Sequence, residues 1–213
     1  KEIILLGQNV NAYKYNNYRL SNLILEIEKF SKIERVRYTT SHPKDMSEDL
    51  IEVYKHSKKL MPLVHLPIQS GSNKILKLMN RKHLIRDYLK IFEKLKKINS
   101  KIEFSSDFII GYPGEEEKDF NDTLDLIKRI KFINSYSFIF SPRPGTAAED
   151  LDLIDKSTST SRLEKVQNQL FKNQINMHKS LENKILKVLV ENLTKDKTQL
   201  FGRSEYMTPV IFN

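Results

Sequence analysis

Short apolar runs alternate with amphipathic segments through the first two thirds of the chain. Five runs rich in β-branched and aromatic side chains predict strands, over residues 3–6, 35–38, 63–66, 102–110 and 135–140. Between them, apolar side chains at helical spacing predict helices over residues 18–30, 47–56, 72–79, 84–97 and 118–130. Strands that alternate with helices form parallel sheets with right-handed crossovers. The expected fold class is therefore α/β, either a partial (β/α) barrel or an open doubly wound sheet.

The pattern changes after residue 145. A polar, Ser/Thr-rich linker is predicted first, then a long helix, then three strands, at residues 151–160, 162–181, 185–191, 199–203 and 208–212. We expect residues 1–155 to form the α/β core, residues 156–183 a linker and long helix, and residues 184–213 the start of an all-β unit. Three strands are too few to close a stable barrel, so we expect this unit to be truncated.

Composition and charge narrow the classes of partner. The 213 residues are 39% hydrophobic and 30% charged, which is a globular composition without a membrane-spanning run. The net charge of +9 favours anionic partners, nucleic acid first, although a Lys-, Ile- and Asn-rich composition alone also produces such a charge. The chain has no cysteine, which excludes disulfides and thiolate ligands within it. It starts with a strand pattern and no leader, so we expect it to begin inside a domain.

Glycine-containing and polar loops follow the predicted strands. Residues 105–115 (SSDFIIGYPGE) combine a buried strand, a tight turn and an acidic helix start. Because Gly111 and Gly114 lack a Cβ atom, the backbone there can approach a ligand closely. Loops after parallel strands carry the chemistry of α/β enzymes, so this loop is the first candidate for a site.

Three further loops offer polar groups. The amides of residues 7–11 (GQNVN) can bind a polar ligand, or form an Asn-rich turn. Gln69, Ser70 and the Gly71 backbone can hold hydroxyl or carboxylate groups, or belong to a helix capped by Ser72. Arg143 lies between two prolines, which stiffen its backbone, and such a guanidinium suits a carboxylate or phosphate, unless the loop is merely rigid surface.

Two other constellations are open to interpretation. The histidines show no metal-ligand spacing, so we expect no histidine metal site; they are His42, His56, His65, His83 and His178. Asp107 and Glu115 can form a carboxylate pair. Alternatively, Glu115 belongs to the first helical turn, where a negative charge is favourable.

Taken together, these stretches resemble the methylthiotransferase family of radical S-adenosylmethionine (SAM) enzymes. The matching residues are 6–13, 39–43, 65–72, 105–115 and 135–146, with Met79 and Arg81. The resemblance covers nearly the whole chain, and residues 7–11 and 137–146 point to the branch that acts on tRNA. It implies methylthiolation of N6-dimethylallyladenosine beside the anticodon.

The resemblance also implies cofactors and a site. It implies a partial radical-SAM barrel that binds SAM, followed by an RNA-binding TRAM domain that starts at residue 184. The cofactor-binding residues implied are Gly7, Gln8, Asn9, Gln69, Ser70, Gly71, Asp107, Ile109, Gly111, Tyr112, Pro113, Gly114 and Arg143; no catalytic residue is identified. The family holds two 4Fe-4S clusters on cysteines, which this chain lacks. We therefore expect the 213-residue chain to be inactive alone and its full-length parent to be active.

The implied partners are the tRNA anticodon stem-loop and a reductant protein, with no membrane, for a cytoplasmic monomer. Tyr13 or Tyr112 is a candidate for stacking on an unpaired base. Three alternatives stay open: a sister methylthiotransferase acting on threonylcarbamoyladenosine or a ribosomal protein Asp, a non-catalytic RNA-binding remnant, and an ordinary phosphate-binding β/α barrel.

Overall fold

The structure is a computed structural model that describes residues 1–213. The helices are α1 (Leu20–Glu28), α2 (Glu48–His56), α3 (Asn73–Leu78), α4 (Ile85–Ile98), α5 (Glu117–Ile130) and α6 (Lys156–Leu181). The strands are β1 (Glu2–Leu5), β2 (Lys14–Tyr15), β3 (Tyr18–Arg19), β4 (Arg35–Tyr38), β5 (Leu63–His65), β6 (Glu103–Ser105), β7 (Asp107–Ile110), β8 (Tyr136–Ile139), β9 (Val188–Leu193), β10 (Leu200–Ser204) and β11 (Pro209–Phe212). None of the helices has both the length and the apolarity to cross a bilayer.

A parallel sheet forms the body of the molecule. β1 pairs with β4, β5 with β6, and β7 with β8, each pair being parallel. Single bridges between Val36 and Leu60 and between Gln69 and Phe108 join these pairs into the order β1-β4-β5-β6/β7-β8. β1 and β8 do not pair with each other, so the sheet is not a closed barrel. This arrangement confirms the expected α/β class and partial barrel.

Alternation along the strands separates the core from the inner face of the sheet. Phe104, Phe108 and Ile110 are buried under the helices, whereas Ser105 and Asp107, which alternate with them, face the other side. The Phe108 ring meets the Phe132 ring edge-on, with centroids 5.3 Å apart. Each such buried side chain stabilises the fold by about 1.5–3 kcal/mol.

Three elements differ from their predicted form. The predicted helix over residues 18–30 begins at Leu20, because the preceding residues form the β2–β3 hairpin. The predicted strand over residues 102–110 is interrupted at Ser106. The Ser106 N–H donates to Ser135 Oγ at 2.9 Å, and the Ser106 hydroxyl accepts from the Ile68 N–H at 3.0 Å, so neither group takes part in the strand ladder.

The predicted linker over residues 151–160 is wrong in its second half, where α6 already begins. The Asp155 carboxylate accepts a hydrogen bond from the Thr158 N–H at 2.9 Å and caps the helix. Ser159 and Arg162 are then buried against the loop after β7, and this packing outweighs the weak helix propensity of the Ser/Thr run.

A second sheet docks at the amino end of the parallel strands. β9, β10 and β11 form an antiparallel meander, in agreement with the three predicted strands. The Arg35 guanidinium donates to the carbonyls of Lys187 and Arg203, both at 2.8 Å. Arg37 donates to the carbonyl of Glu205 at 2.9 Å. The second sheet is thus joined to the parallel sheet by hydrogen bonds, two of which, from Arg35 and Arg37 to the Ser204 carbonyl, are buried. The predicted domain boundaries at residues 155 and 183 stay a prediction.

Candidate functional site

Two cavities lie along the inner face of the parallel sheet. The inner cavity has a volume of about 570 Å³ and is lined by residues of β1, β4, β5, β6, β7 and β8. The sheet therefore curves around it. The edge cavity, of about 600 Å³, lies at the carboxyl ends of β5, β7 and β8. Phe138 lines both cavities. Carboxyl ends of parallel strands are where α/β proteins bind ligands, so the edge cavity is the candidate cofactor site.

The edge cavity brings together four of the predicted site residues, which are Gln69, Ile109, Tyr112 and Arg143. Gln69 has a φ of +77°, which is unfavourable for a residue with a side chain. Its N–H donates to the Asp107 carbonyl at 3.0 Å and its carbonyl accepts from the Ile109 N–H at 2.9 Å. The side-chain amide of Gln69 makes no hydrogen bond within the chain. A strained backbone that carries an unpaired polar side chain is an arrangement found at ligand sites.

Met79 and Arg81 also line this cavity, although the sequence analysis did not place them in the site. Arg81 donates through one terminal nitrogen to the Pro67 carbonyl at 3.1 Å, but its Nε is buried without a partner. Burial lowers the pKa of Arg81, and the nearby Asp107 carboxylate opposes that shift. The only signal in the sequence was the family resemblance, because these residues follow a helix and not a strand.

The glycine loop after β7 is shaped by packing. Gly111 and Gly114 have φ values of +71° and +82°, and a Cβ on Gly111 would lie 2.6 Å from Ser159 Oγ. The Gly111 N–H donates to Glu115 Oε1 at 3.2 Å, and Pro113 lies buried in the same turn. Both glycines are needed for a positive φ, and Gly111 is also needed for the close approach of α6.

Glu115 is a buried partner of Arg162. The Arg162 guanidinium donates to Glu115 Oε1 at 2.9 Å, and both side chains are buried. Burial raises the pKa of Glu115, while the hydrogen bond from Gly111 and the charge of Arg162 oppose the shift. Glu115 therefore pairs with Arg162 and not with Asp107, and α5 begins only at Glu117. Both sequence interpretations of Glu115 were wrong because neither included the start of α6.

Ser70 and Gly71 lie against α5. The Gly71 N–H donates to Thr123 Oγ1 at 2.9 Å, and a Cβ on Gly71 would lie 2.5 Å from the Asp122 carbonyl. Ser70 is buried and its hydroxyl accepts from the Ser72 N–H at 3.1 Å. The close backbone approach predicted at Gly71 is thus made to a helix, and a cofactor contact at these two residues stays a prediction.

The loop after β1 holds the other predicted group, Gly7, Gln8 and Asn9. Gly7 and Gln8 are exposed. Asn9 Nδ2 donates to Asp45 Oδ2 at 2.7 Å, which fixes the amide and leaves Asn9 Oδ1 buried with no partner. A free buried acceptor fits an ammonium or N–H donor of a ligand.

Asp107 does not line the edge cavity. It faces the inner cavity, where its Oδ2 is 3.6 Å from His65 Nε2, while His65 Nδ1 lies 2.6 Å from Ser105 Oγ. His65 and Ser105 are register partners on β5 and β6. This polar cluster was missed because its members are distant in sequence and meet only through the strand pairing.

The residues present do not fit an iron–sulfur cluster. The chain has no cysteine, and no three His, Asp or Glu side chains converge as metal ligands. The His42 and His83 rings meet edge-on at 5.2 Å, and burial, with His42 and Arg81, lowers the pKa of His83 to about 4. A SAM-sized ligand does fit the edge cavity, which offers apolar walls, a free amide and two guanidinium groups.

Comparison with known proteins agrees with this architecture. The radical SAM superfamily profile matches residues 1–127, and the chain belongs to that superfamily. It is 68% identical over 217 residues to the tRNA-2-methylthio-N(6)-dimethylallyladenosine synthase of Pelagibacter ubique, an alignment that covers 100% of this chain and 49% of that protein. The protein of the same name from Wolbachia pipientis subsp. Culex pipiens is 49% identical over 216 residues, covering 99% and 49%. The chain thus spans about half the length of the curated relatives it matches.

Solved structures share the fold. Coproporphyrinogen III oxidase (HemN) from Escherichia coli, a radical SAM enzyme, superposes with a TM-score of 0.56 at 16% identity, over 74% of this chain and 38% of that chain. The archaeal Methanocaldococcus infernus Elp3 gives a TM-score of 0.57 at 15% identity, over 95% and 65%. Both support the radical-SAM fold that the resemblance implied.

Proposed function

We propose that the protein containing this chain is a tRNA methylthiotransferase that modifies N6-dimethylallyladenosine beside the anticodon by radical SAM chemistry. The observation that carries the proposal is the 68% identity, over the whole chain, to a synthase named for this product. The edge cavity supports it, because it lies where a radical-SAM fold places its ligand site and combines apolar walls with unpaired polar groups.

In this proposal the chain's residues bind and orient SAM. Ile109 and Tyr112 supply apolar surface for the adenine, and Arg143 and Arg81 supply positive charge for the carboxylate. The amide of Gln69, which lines the same cavity, binds the ribose. The unpartnered Asn9 Oδ1 accepts from the amino group. These roles orient a cofactor, and the cofactor itself supplies the radical chemistry.

The 4Fe-4S clusters belong, in this proposal, to other parts of the parent protein. Clusters are held by thiolates, and this chain supplies none. β9–β11 would be the start of a TRAM domain that binds the anticodon stem-loop, which the net charge of +9 favours. A reductant protein, a monomeric state and a cytoplasmic location complete the proposal.

The test uses the full-length protein, loaded anaerobically with iron and sulfide. It is incubated with SAM, dithionite and one of three substrates: a stem-loop carrying N6-dimethylallyladenosine, one carrying threonylcarbamoyladenosine, or a ribosomal protein with the target Asp. Mass spectrometry should detect the methylthio product on the first substrate alone. A product on another substrate would reassign the enzyme to a sister activity. No product on any of them, despite cleavage of SAM, would reject methylthiotransfer.

A further inference from the structure

The β2–β3 hairpin carries exposed aromatic side chains that the fold does not use. Tyr13, Tyr15 and Tyr18 are 41%, 67% and 52% exposed. None of the three rings packs against another aromatic ring of the chain. The one side-chain hydrogen bond donated by residues 14–19 runs from Arg19 to Asp49 at 3.3 Å. Packing therefore does not account for these tyrosines.

The strand register places two of the rings on one face. Tyr15 and Tyr18 are direct cross-strand partners, so their side chains lie on the same side of the hairpin. Lys14 and Arg19 pair on the opposite side. The hairpin thus has an aromatic face and a basic face.

The hairpin lies at the same edge of the sheet as the edge cavity. It belongs to the loop after β1, at the carboxyl end of that strand. Two hydrogen bonds tie the start of this loop to the loop after β4: Val10 N–H donates to the Thr40 carbonyl at 2.9 Å, and Asn11 Nδ2 to the His42 carbonyl at 2.9 Å. The segment that leads into the hairpin is therefore anchored beside the next loop.

That next loop opens onto a basic groove. Lys44, Lys82 and Lys90 line it and make no ion pair. Its two carboxylates already have basic partners, since Glu48 pairs with Lys94, a fourth lysine of the lining, and Asp87 Oδ1 lies 3.7 Å from Arg86 Nε. The unpaired charge of the groove is thus positive.

Exposed rings beside unpaired lysines match one class of partner. Unpaired bases stack on aromatic rings, while their phosphates bind lysines. We propose that the β2–β3 hairpin binds an unpaired loop of RNA by stacking bases on Tyr15 and Tyr18, with the phosphate backbone following Lys14 and the Lys44–Lys82 groove. The inference rests on the proposed function, for which it names the surface that holds the anticodon loop near the edge cavity.

The experiment measures the affinity of the full-length protein by fluorescence anisotropy. The probes are a labelled anticodon stem-loop and a blunt RNA duplex of the same stem, which has no unpaired bases. The test variant is Tyr15→Leu with Tyr18→Leu. One control is Tyr15→Phe with Tyr18→Phe, which keeps the rings. The other is Phe171→Leu on α6, whose side chain is 67% exposed, like that of Tyr15.

We expect the leucine pair to bind the stem-loop at least about thirtyfold more weakly, since stacking on an aromatic ring contributes about fivefold or more per base and the variant removes two rings. The phenylalanine pair and Phe171→Leu should stay within about twofold, and duplex affinity should not change. Equal stem-loop affinity in all variants overturns the proposal. A lowered unfolding midpoint, or an equal loss on the duplex, also overturns it, because the hairpin would then support the fold or contact another segment of the protein.

The proposed function is tested by a separate readout. Stem-loop binding that depends on the rings, with no methylthio product from the wild type, would refute the function and keep the RNA surface. A methylthio product together with stem-loop binding that does not depend on the rings would keep the proposed function and refute the RNA surface.

Discussion

The two ends of the same parallel strands are built in opposite ways. At the amino end, Arg35 and Arg37 are buried, and their guanidinium groups bind carbonyls of the second sheet. At the carboxyl end, Asn9 Oδ1 and Arg81 Nε are buried without partners, and Gln69 has a strained backbone. Since unsatisfied groups and strain cost stability, their presence in these loops marks the carboxyl end as the end kept for ligands.

The amino end shows how a buried charge is made tolerable. Glu2 Oε2 lies 3.3 Å from Arg37 Nε and 4.0 Å from the Arg35 guanidinium. Burial lowers the pKa of Arg37, and the charge and hydrogen bond of Glu2 oppose that shift. Every one of these contacts joins the parallel sheet to itself or to β9–β11, so this end serves stability.

Arg35→Met should give the largest loss. It leaves the half-buried carbonyls of Lys187 and Arg203 without their guanidinium donor, whereas the Ser204 carbonyl keeps Arg37 as a donor. Each unsatisfied acceptor costs about 1–3 kcal/mol, so we expect the free energy of unfolding to fall by about 3–5 kcal/mol. Urea denaturation of the full-length protein measures it.

The matched control is Arg143→Met, which removes an exposed guanidinium at the opposite end. It should change the unfolding free energy by less than about 0.5 kcal/mol. Equal urea midpoints for the two variants would erase the contrast between the ends. Faster proteolysis of β9–β11 in Arg35→Met alone would sharpen it.

Acid should act at the carboxyl end. His83 is buried beside His42 and Arg81, and its pKa is lowered to about 4, so the fold favours the neutral ring. This contribution to stability is complete above the unfolded pKa of about 6.5 and is lost as the pH falls towards 4. After a discount for solvent screening, we expect about 1 kcal/mol of loss by a pH of about 5.

His83→Leu cannot take up this proton and should flatten the profile between pH values of about 6.5 and 5. His178→Leu is the control, because His178 lies exposed on α6. Urea midpoints measured across that range decide the matter. If His83→Leu and the wild type lose stability in parallel, the acid response comes from groups outside the His42–His83 contact.

The sequence predicted only part of this contrast between the amino and carboxyl ends of the parallel strands. Alternating apolar runs located all five parallel strand positions, because burial under helices imposes that pattern. The β2–β3 hairpin was missed, since strands of two residues carry no periodicity and its tyrosines resemble the start of α1. The amino-end cluster was also missed, because the hydrogen-bond partners of Arg35 are carbonyls about 150–170 residues away in the chain.

The site was predicted as loops but not as contacts. Gln69, Ile109, Tyr112 and Arg143 do line one cavity. Tyr112, a stacking candidate, is instead buried, with its ring against Phe140 and its hydroxyl bonded to the Leu78 carbonyl. Such outcomes depend on which side chains pack against a loop in the folded protein, and the spacing of residues along the chain does not contain that information.

Gln69→Gly should give the smallest change in stability, and of opposite sign. Glycine adopts the φ of +77° without strain, and after its larger backbone entropy cost we expect a gain of about 0.5 kcal/mol. If the Gln69 amide binds the cofactor, SAM affinity of the full-length protein should meanwhile fall about tenfold, measured by isothermal titration. Asn80→Gly, at a φ of +55° outside the lining of the edge cavity, is the control and should gain stability without losing affinity. A Gln69→Gly protein with both higher stability and unchanged affinity would show that strain at the carboxyl end does not mark function, which is the premise on which the contrast between the two ends depends.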